Sequence, residues 1–219
     1  MSAITISRES GSWGNAIAAQ VCDLLGYRLL DKQLIMEAAA EVGLSEQDFV
    51  DISEQDYKEK GLRDHLVEML FGTVVPPRPA ASKISWGGLE ANVDKDWFAA
   101  LVNDTVLNVY AQGGVVIVGR GGQVILKDQP DVLHVRITAP LAVRVARVQR
   151  EQVIVESEAR QRIEEHDQSS ARYLWEMFEV EWDNPALYHL IINSAKLTPE
   201  AAAQTIVTAA NCLEATITP

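Results

Sequence analysis

The sequence predicts an α/β fold with a parallel sheet, and three observations carry that reading. First, Ile4-Thr5-Ile6 runs into a Gly/Ser-rich turn at residues 10–14 and then into the Ala-rich stretch 15–18, giving a strand, a turn and a helix in immediate succession. Second, the helical period continues to Leu25 and stops at Gly26, and residues 27–30 form a second short strand, so a βαβ unit fits within about thirty residues. Third, Val115-Val116-Ile117-Val118 is an unbroken β-branched run, the composition of a strand covered on both faces.

The remaining elements follow in order. Residues 33–40 read as a short helix, and Gly43 breaks the chain before a capped start at Ser45. Residues 53–57 are acidic, and residues 62–71 have helical period ended by Gly72. Pro76-Pro77-Arg78-Pro79 with Trp86-Gly87-Gly88 marks an irregular loop of the kind that covers a site or joins lobes. Residues 97–110 are the longest amphipathic helix, with Trp97, Leu101, Val102, Val106 and Val109 as its buried side. Gly113-Gly114 releases the chain into the strand at 115–118, and Gly119-Arg120-Gly121-Gly122 follows at its C-terminal end, where ligands sit in open α/β sheets. Residues 134–138 are another strand, after which Ala139-Pro140 opens a helix with Pro in the favoured first turn. Leu190-Ile191-Ile192-Asn193 is the last of five strands, and Thr198-Pro199-Glu200 starts an Ala-rich C-terminal helix.

With 219 residues the chain is the size of one domain, or of one domain with an inserted lobe. A formal net charge of -12 argues against nonspecific binding to nucleic acid or to an anionic membrane, since those partners reward a positive surface. Cys22 and Cys212 lie far apart in helix-like segments, so no disulfide framework is expected and a reducing compartment fits. No basic-then-apolar leader precedes Ile4 and no apolar run approaches eighteen residues, so the expected location is the cytoplasm. His65, His134, His166 and His189 lack metal-ligand spacing and read as structural or surface residues; no metal site is expected from them.

Two stretches carry candidate chemistry. A turn between a strand and a helix leaves backbone N–H groups unpartnered in the field of the helix dipole, and Gly11 and Gly14 let the backbone curl around an anion. Laying the phosphate-loop pattern G-x-x-x-x-G-K-[ST] on residues 8–15 puts Arg8 at the first Gly, Trp13 at the second, Gly14 at the Lys and Asn15 at the Ser/Thr. The shape of the loop survives while its lysine and hydroxyl do not, so an ordinary βα turn with a Ser-Gly cap is an equal reading. The second stretch is cationic: seven of the twelve arginines fall between Arg136 and Arg172. Arg144, Arg147 and Arg150 are three apart, and Arg160, Arg162, Asp167 and Arg172 follow. Such a strip suits a phosphate-rich ligand, or else it is a solvated helix face laced with Glu151, Glu156, Glu158, Glu164 and Glu165.

Taken together these stretches resemble the cytidylate-kinase-like family, relatives of the nucleoside monophosphate kinases with a P-loop fold. The resemblance rests on Ile4-Thr5-Ile6-Ser7-Arg8-Glu9 with Gly11-Ser12, on Leu25-Gly26-Tyr27 leading to Asp31, and on Val116-Ile117-Val118-Gly119-Arg120-Gly121. Ala139-Pro140 with Arg144 and Arg147, Asp167 with Tyr173, Trp182-Asp183-Asn184-Pro185 through Tyr188, and Ile192-Asn193-Ser194 complete it. It implies a five-stranded parallel core of residues 1–31 and 112–219 with helices on both faces, a helical monophosphate-binding insertion at 32–111 and a lid at 148–173. It also implies that Ser10, Gly11, Ser12, Trp13, Gly14 and Asn15 face the donor phosphates, that Asp31 lies near the acceptor nucleotide and that Arg120 holds the acceptor phosphate. Arg8, Arg120, Arg144, Arg147 and Arg172 would be the catalytic cations, Arg144 and Arg147 at the lid hinge and Arg8 or Arg120 standing in for the missing lysine, and Arg160, Arg162 and Asp167 would belong to the lid. ATP and Mg²⁺ are the implied cofactors, and a homodimer is compatible with the apolar content.

The sequence departs from true cytidylate kinases at Trp13-Gly14-Asn15, where they carry Gly-Lys-Ser, and at Gly121, where they carry Asp. Gln168, Ser169 and Ser170 stand where lid arginines are expected. Three functions are therefore in view. One is transfer of the ATP γ-phosphate to a pyrimidine nucleoside monophosphate. Another is a pseudo-kinase that binds nucleotide or phosphate without catalysis, and the last is an interaction scaffold with no nucleotide site.

Overall fold

The computed structural model describes residues 3–30 and 90–217, with side chains described for 3–30, 100, 102–213. Asp31, the short helices expected at 33–40 and 62–71, and the loop at 76–88 lie outside the described residues. So do the side chains of Trp97 and Leu101.

Five strands, β1 (Ala3–Arg8), β2 (Arg28–Leu30), β3 (Val115–Val118), β4 (Val132–Thr138) and β5 (Leu190–Asn193), form one sheet in the order β2-β3-β1-β4-β5. Every neighbouring pair is parallel, with Ile4 opposite Val116 and Leu133, and Ile6 opposite Val118 and Val135. Alternation along β1 sends Ile4 and Ile6 into one layer and Thr5 to the other face. The first layer is closed by α1 (Gly14–Leu25) and α6 (Pro199–Ile217), whose Ile17, Val21, Ala203 and Ile206 are buried against the strand residues. On the opposite face lie α2 (Glu90–Gln112), with Val102, Val106 and Val109 buried as expected, and the short α3 (Gly122–Ile125). Gly122 fits there because a Cβ would sit only 3.2 Å from Ile117 and Thr5.

The arginine-rich stretch forms α4 (Leu141–Gln152) and α5 (Glu156–Phe178). Pro140 is the residue just before α4 instead of its first helical residue, and Trp13, not a Ser-Gly pair, caps α1. Trp13 sits at φ 63 with no side-chain cap, so the start of α1 departs from the simple capped turn. No helix among the described residues is long and apolar enough to cross a membrane.

A parallel sheet gathers the C-terminal ends of its strands along one edge. Here that edge assembles the loop after β1, the turn after β3 and the start of α4, with α5 crossing them.

Candidate functional site

The turn after β3 makes one side of a cleft. Gly119, Arg120 and Gly121 are three successive residues at positive φ (74, 57 and 68), a left-handed run that two glycines make accessible and that Arg120 adopts at a cost of about 1–2 kcal/mol. Gly121 has a second reason to lack a side chain, since a Cβ would enter the ring of Phe178 at the end of α5. The turn delivers Arg120, 8% exposed, into a cavity of about 80 Å³.

Arg8, at the end of the neighbouring β1, lines the same cavity. Its Nε donates to Asn15 Oδ1 at 2.9 Å, while its stem crosses Gly14 so closely that a Cβ there would collide with Arg8 Cβ. A Cβ on Gly119 would come within 3.0 Å of Arg8 Nη1. Two glycines thus make the slot in which this arginine lies, and the position that would hold a loop lysine is filled by the body of Arg8.

The floor of the cavity is a buried polar knot. Trp182 Nε1 donates to Ser7 Oγ at 2.7 Å, Tyr188 Oη donates to the Trp182 carbonyl at 2.7 Å, and Arg136 Nη1 donates to that carbonyl at 2.7 Å while its guanidinium lies 4.4 Å over the Trp182 ring. The roof is one face of α5, where His166, Ser169, Ser170 and Tyr173 line the cavity. The Tyr173 hydroxyl is buried with no hydrogen-bond partner among the described residues. Burial pushes its pKa up to about 12, with the nearby Arg120 charge pulling the other way, so at neutral pH it is a donor. Two guanidinium groups and a phenol converging on a small cavity suit a phosphate or another oxyanion.

The loop after β1 is arranged differently. Gly11 (φ 74) packs so tightly on α4 that a Cβ would stand 3.0 Å from the Arg144 carbonyl and from Val148. Arg144 donates through Nε to the Ala139 carbonyl at 2.9 Å and through Nη1 to the Ser10 carbonyl at 3.1 Å and to Asp167 Oδ2 at 2.6 Å. Arg147 donates to the Gly11 carbonyl at 3.3 Å and, through both Nη atoms, to Ser194 at 3.0 and 2.7 Å. Its guanidinium lies 3.5 Å over the Trp13 ring, whose Nε1 donates to Glu151 at 3.0 Å. Burial lowers the Arg147 pKa and Glu151 opposes that shift; the group remains a cation at neutral pH.

The expected site residues therefore separate into three sets. Arg8 and Arg120 meet in the cleft. Ser10, Gly11, Trp13, Arg144, Arg147 and Asp167 form a bonded cluster beside it, with Ser12 buried in the same loop. Arg160 and Arg162 reach neither: each is about half exposed and paired with Glu156, Glu164 or Glu158 one turn away on α5, the solvated-face arrangement. Arg172 is exposed and does not line the cavity. Sequence reasoning missed Ser7, Gln123, His166, Ser169 and Ser170 as cavity residues. The spacing of 166, 169, 170 and 173 was the available signal, since those positions share one helix face. Among the described residues no group of three or more His, Cys, Asp or Glu could hold a metal ion.

Among solved structures, an uncharacterized protein from Eubacterium ventriosum superposes with a TM-score of 0.65 at 17% identity, covering 96% of this chain and 99% of its own. A shikimate kinase from Acinetobacter baumannii, in complex with shikimate, superposes with a TM-score of 0.51 at 13% identity, covering 97% of this chain and 94% of its own. These likenesses show the kinase-like parallel α/β fold. A comparison with curated proteins finds no match. The model of the Cytidylate kinase-like family matches residues 3–196, and a match over that length, together with the fold, makes this chain a member of that family.

Proposed function

We propose that this chain binds a pyrimidine nucleoside monophosphate through its phosphate in the cleft beneath α5, and that with Mg-ATP it transfers a phosphoryl group to it, Arg8 serving in place of a loop lysine. The observation that carries the reading is the convergence of Arg8 and Arg120, from adjacent strand ends, on one cavity. Family membership supports the nucleotide class, and the size of the cavity fits the phosphate group, leaving base and sugar to lie outside it. In this reading 148–173 acts as the lid, 32–111 as the monophosphate-binding insertion, and the protein works in the cytoplasm.

The chain's own residues supply position and charge, which is most of what phosphoryl transfer requires. Arg8 is wedged between Gly14 and Gly119 and tied to Asn15, so its charge is held without the freedom of an extended lysine. Arg120 is desolvated, which strengthens its hold on a phosphate oxygen, and Tyr173 adds a neutral donor beside it. α5 roofs the cleft through His166, Ser169, Ser170 and Tyr173. The bond from the donor γ-phosphorus to its bridging oxygen breaks as a bond to an oxygen of the acceptor phosphate forms, giving ADP and a nucleoside diphosphate. The described residues do not fit a side-chain magnesium site: Asn15 has no hydroxyl and its Oδ1 is bonded to Arg8. The metal would therefore enter on the nucleotide phosphates.

A second reading, a binding module without transfer, is favoured by one observation. The Ser10 N–H, a loop donor a nucleotide phosphate would use, is bonded to Asp167. Coupled turnover assays over a panel of monophosphates, together with titration calorimetry, separate the two. Turnover above a blank with CMP or UMP supports the transferase. Binding of CMP with no turnover at high enzyme concentration supports the module, and absence of both overturns both.

A further inference from the structure

The loop after β1 already holds an anion, and that anion belongs to the protein. Ser10 N–H donates to Asp167 Oδ1 at 2.9 Å while Arg144 Nη1 lies 2.6 Å from Oδ2. A backbone amide and a guanidinium converging on two oxygens of one acid is how phosphate groups are bound.

Three features indicate that the carboxylate is an occupant and not a fixture. Arg144 is anchored without it, through the Ala139 and Ser10 carbonyls and a 3.4 Å ion pair to Glu9, so the cation stays in place if Asp167 leaves. Asp167 rides on α5, which ends at Glu179 with φ 55 and which a short connection joins to α4, whose own C-cap, Val153, is also at φ 55. Val153 is β-branched, strained at that φ and 90% exposed, so its conformation is held by its N–H bond to the Gln149 carbonyl and not by packing of its side chain. Finally, the Ser12 hydroxyl in the same loop is fully buried with no hydrogen-bond partner among the described residues.

We propose that Ser10 N–H and Arg144 form a phosphate site that Asp167 fills as an internal competitor, so that a ligand phosphate enters only by displacing it and with it the hold of α5 on the loop. The proposal rests on the reading that the protein takes a phosphorylated ligand, and it adds a gate to that site. A terminal phosphate has three oxygens and nearly two charges against two oxygens and one charge, so it wins contact for contact. Tethering gives Asp167 a high effective concentration, which lowers the apparent affinity of any free phosphate by the fraction of molecules in which the site is open.

The test is calorimetric titration of inorganic phosphate, ATP and CMP into the wild type, Asp167→Ala and Asp167→Asn, with amide exchange measured at Ser10. Asp167→Ala is expected to bind inorganic phosphate and ATP roughly tenfold tighter or more. Asp167→Asn, which keeps an acceptor for Ser10 but loses the charge, falls between it and the wild type. The Ser10 amide exchanges faster in Asp167→Ala and slows again when phosphate is added. Equal affinities in three proteins that are folded by circular dichroism, or Ser10 exchange indifferent to phosphate, overturn the proposal. If CMP binds all three while phosphate leaves Ser10 untouched, only this inference fails. If no ligand binds any of them, the functional reading fails with it.

Discussion

The loop after β1 and the turn after β3 leave adjacent strands at the same edge of the sheet, and both are served by buried arginines. Around the β1 loop, Arg144 and Arg147 spend their donors on the carbonyls of Ser10, Gly11, Ala139 and Ser194 and on Asp167, so these cations brace the backbone. At the β3 turn, Arg120 is carried by a left-handed run into a cavity that Arg8 and Tyr173 also line. The same residue type is bonded into the backbone in one place and lines a cavity in the other. What separates them is the backbone: helix α4 presents arginines to a loop packed against it, whereas a three-residue turn at a strand end presents one to a space.

That contrast can be broken in order of effect. Arg120→Ala should lower CMP affinity about 100-fold or more by calorimetry, because a desolvated cation on a phosphate is worth several kcal/mol. Arg147→Ala should instead destabilise the fold by about 2–4 kcal/mol in urea titration, since it leaves the Ser194 hydroxyl and the Gly11 carbonyl without their donor. On β4, the other neighbour of β1, His134 sets a pH limit on the shared sheet. Burial first, and stacked His189 second, lower its pKa to about 4 from 6.5, so the folded state favours the neutral ring. Stability is therefore full above pH 6.5 and is lost as pH falls toward 4, by about 3 kcal/mol, a slope that His134→Gln should flatten in chemical denaturation.

Smaller effects sharpen the picture at α5. Val153→Asn should raise stability by about 0.5–1 kcal/mol, since asparagine tolerates positive φ and the exposed valine gives up no packing. Arg160→Ala and Arg162→Ala should change stability by less than about 0.5 kcal/mol and leave ligand binding unaltered, as exposed ion pairs within one helix contribute little.

Much of the core was legible in the sequence for a physical reason. Val115–Val118 and Ile4-Thr5-Ile6 are buried on both faces, and a strand with no wet side writes itself as an unbroken apolar run. The place of Arg120 at a strand end was legible because Gly119 and Gly121 bracket it. The division of the arginines was not. Arg144, Arg147, Arg160 and Arg162 have the same composition and similar spacing, and only the packing of α4 against residues 10–11 decides which are buried. The capture of Ser10 by Asp167 spans 157 positions and has no local signature. The burial of Tyr173 likewise depends on how α5 crosses the strand ends.

The central claim is that Arg8 and Arg120 hold the phosphate of a nucleotide, and the most direct measurement is titration of CMP against cytidine under identical conditions. The account predicts that CMP binds, that cytidine does not bind measurably, and that CMP affinity falls as salt is raised and is lost in Arg120→Ala. Equal binding of CMP and cytidine, or CMP binding indifferent to Arg120→Ala, would contradict it.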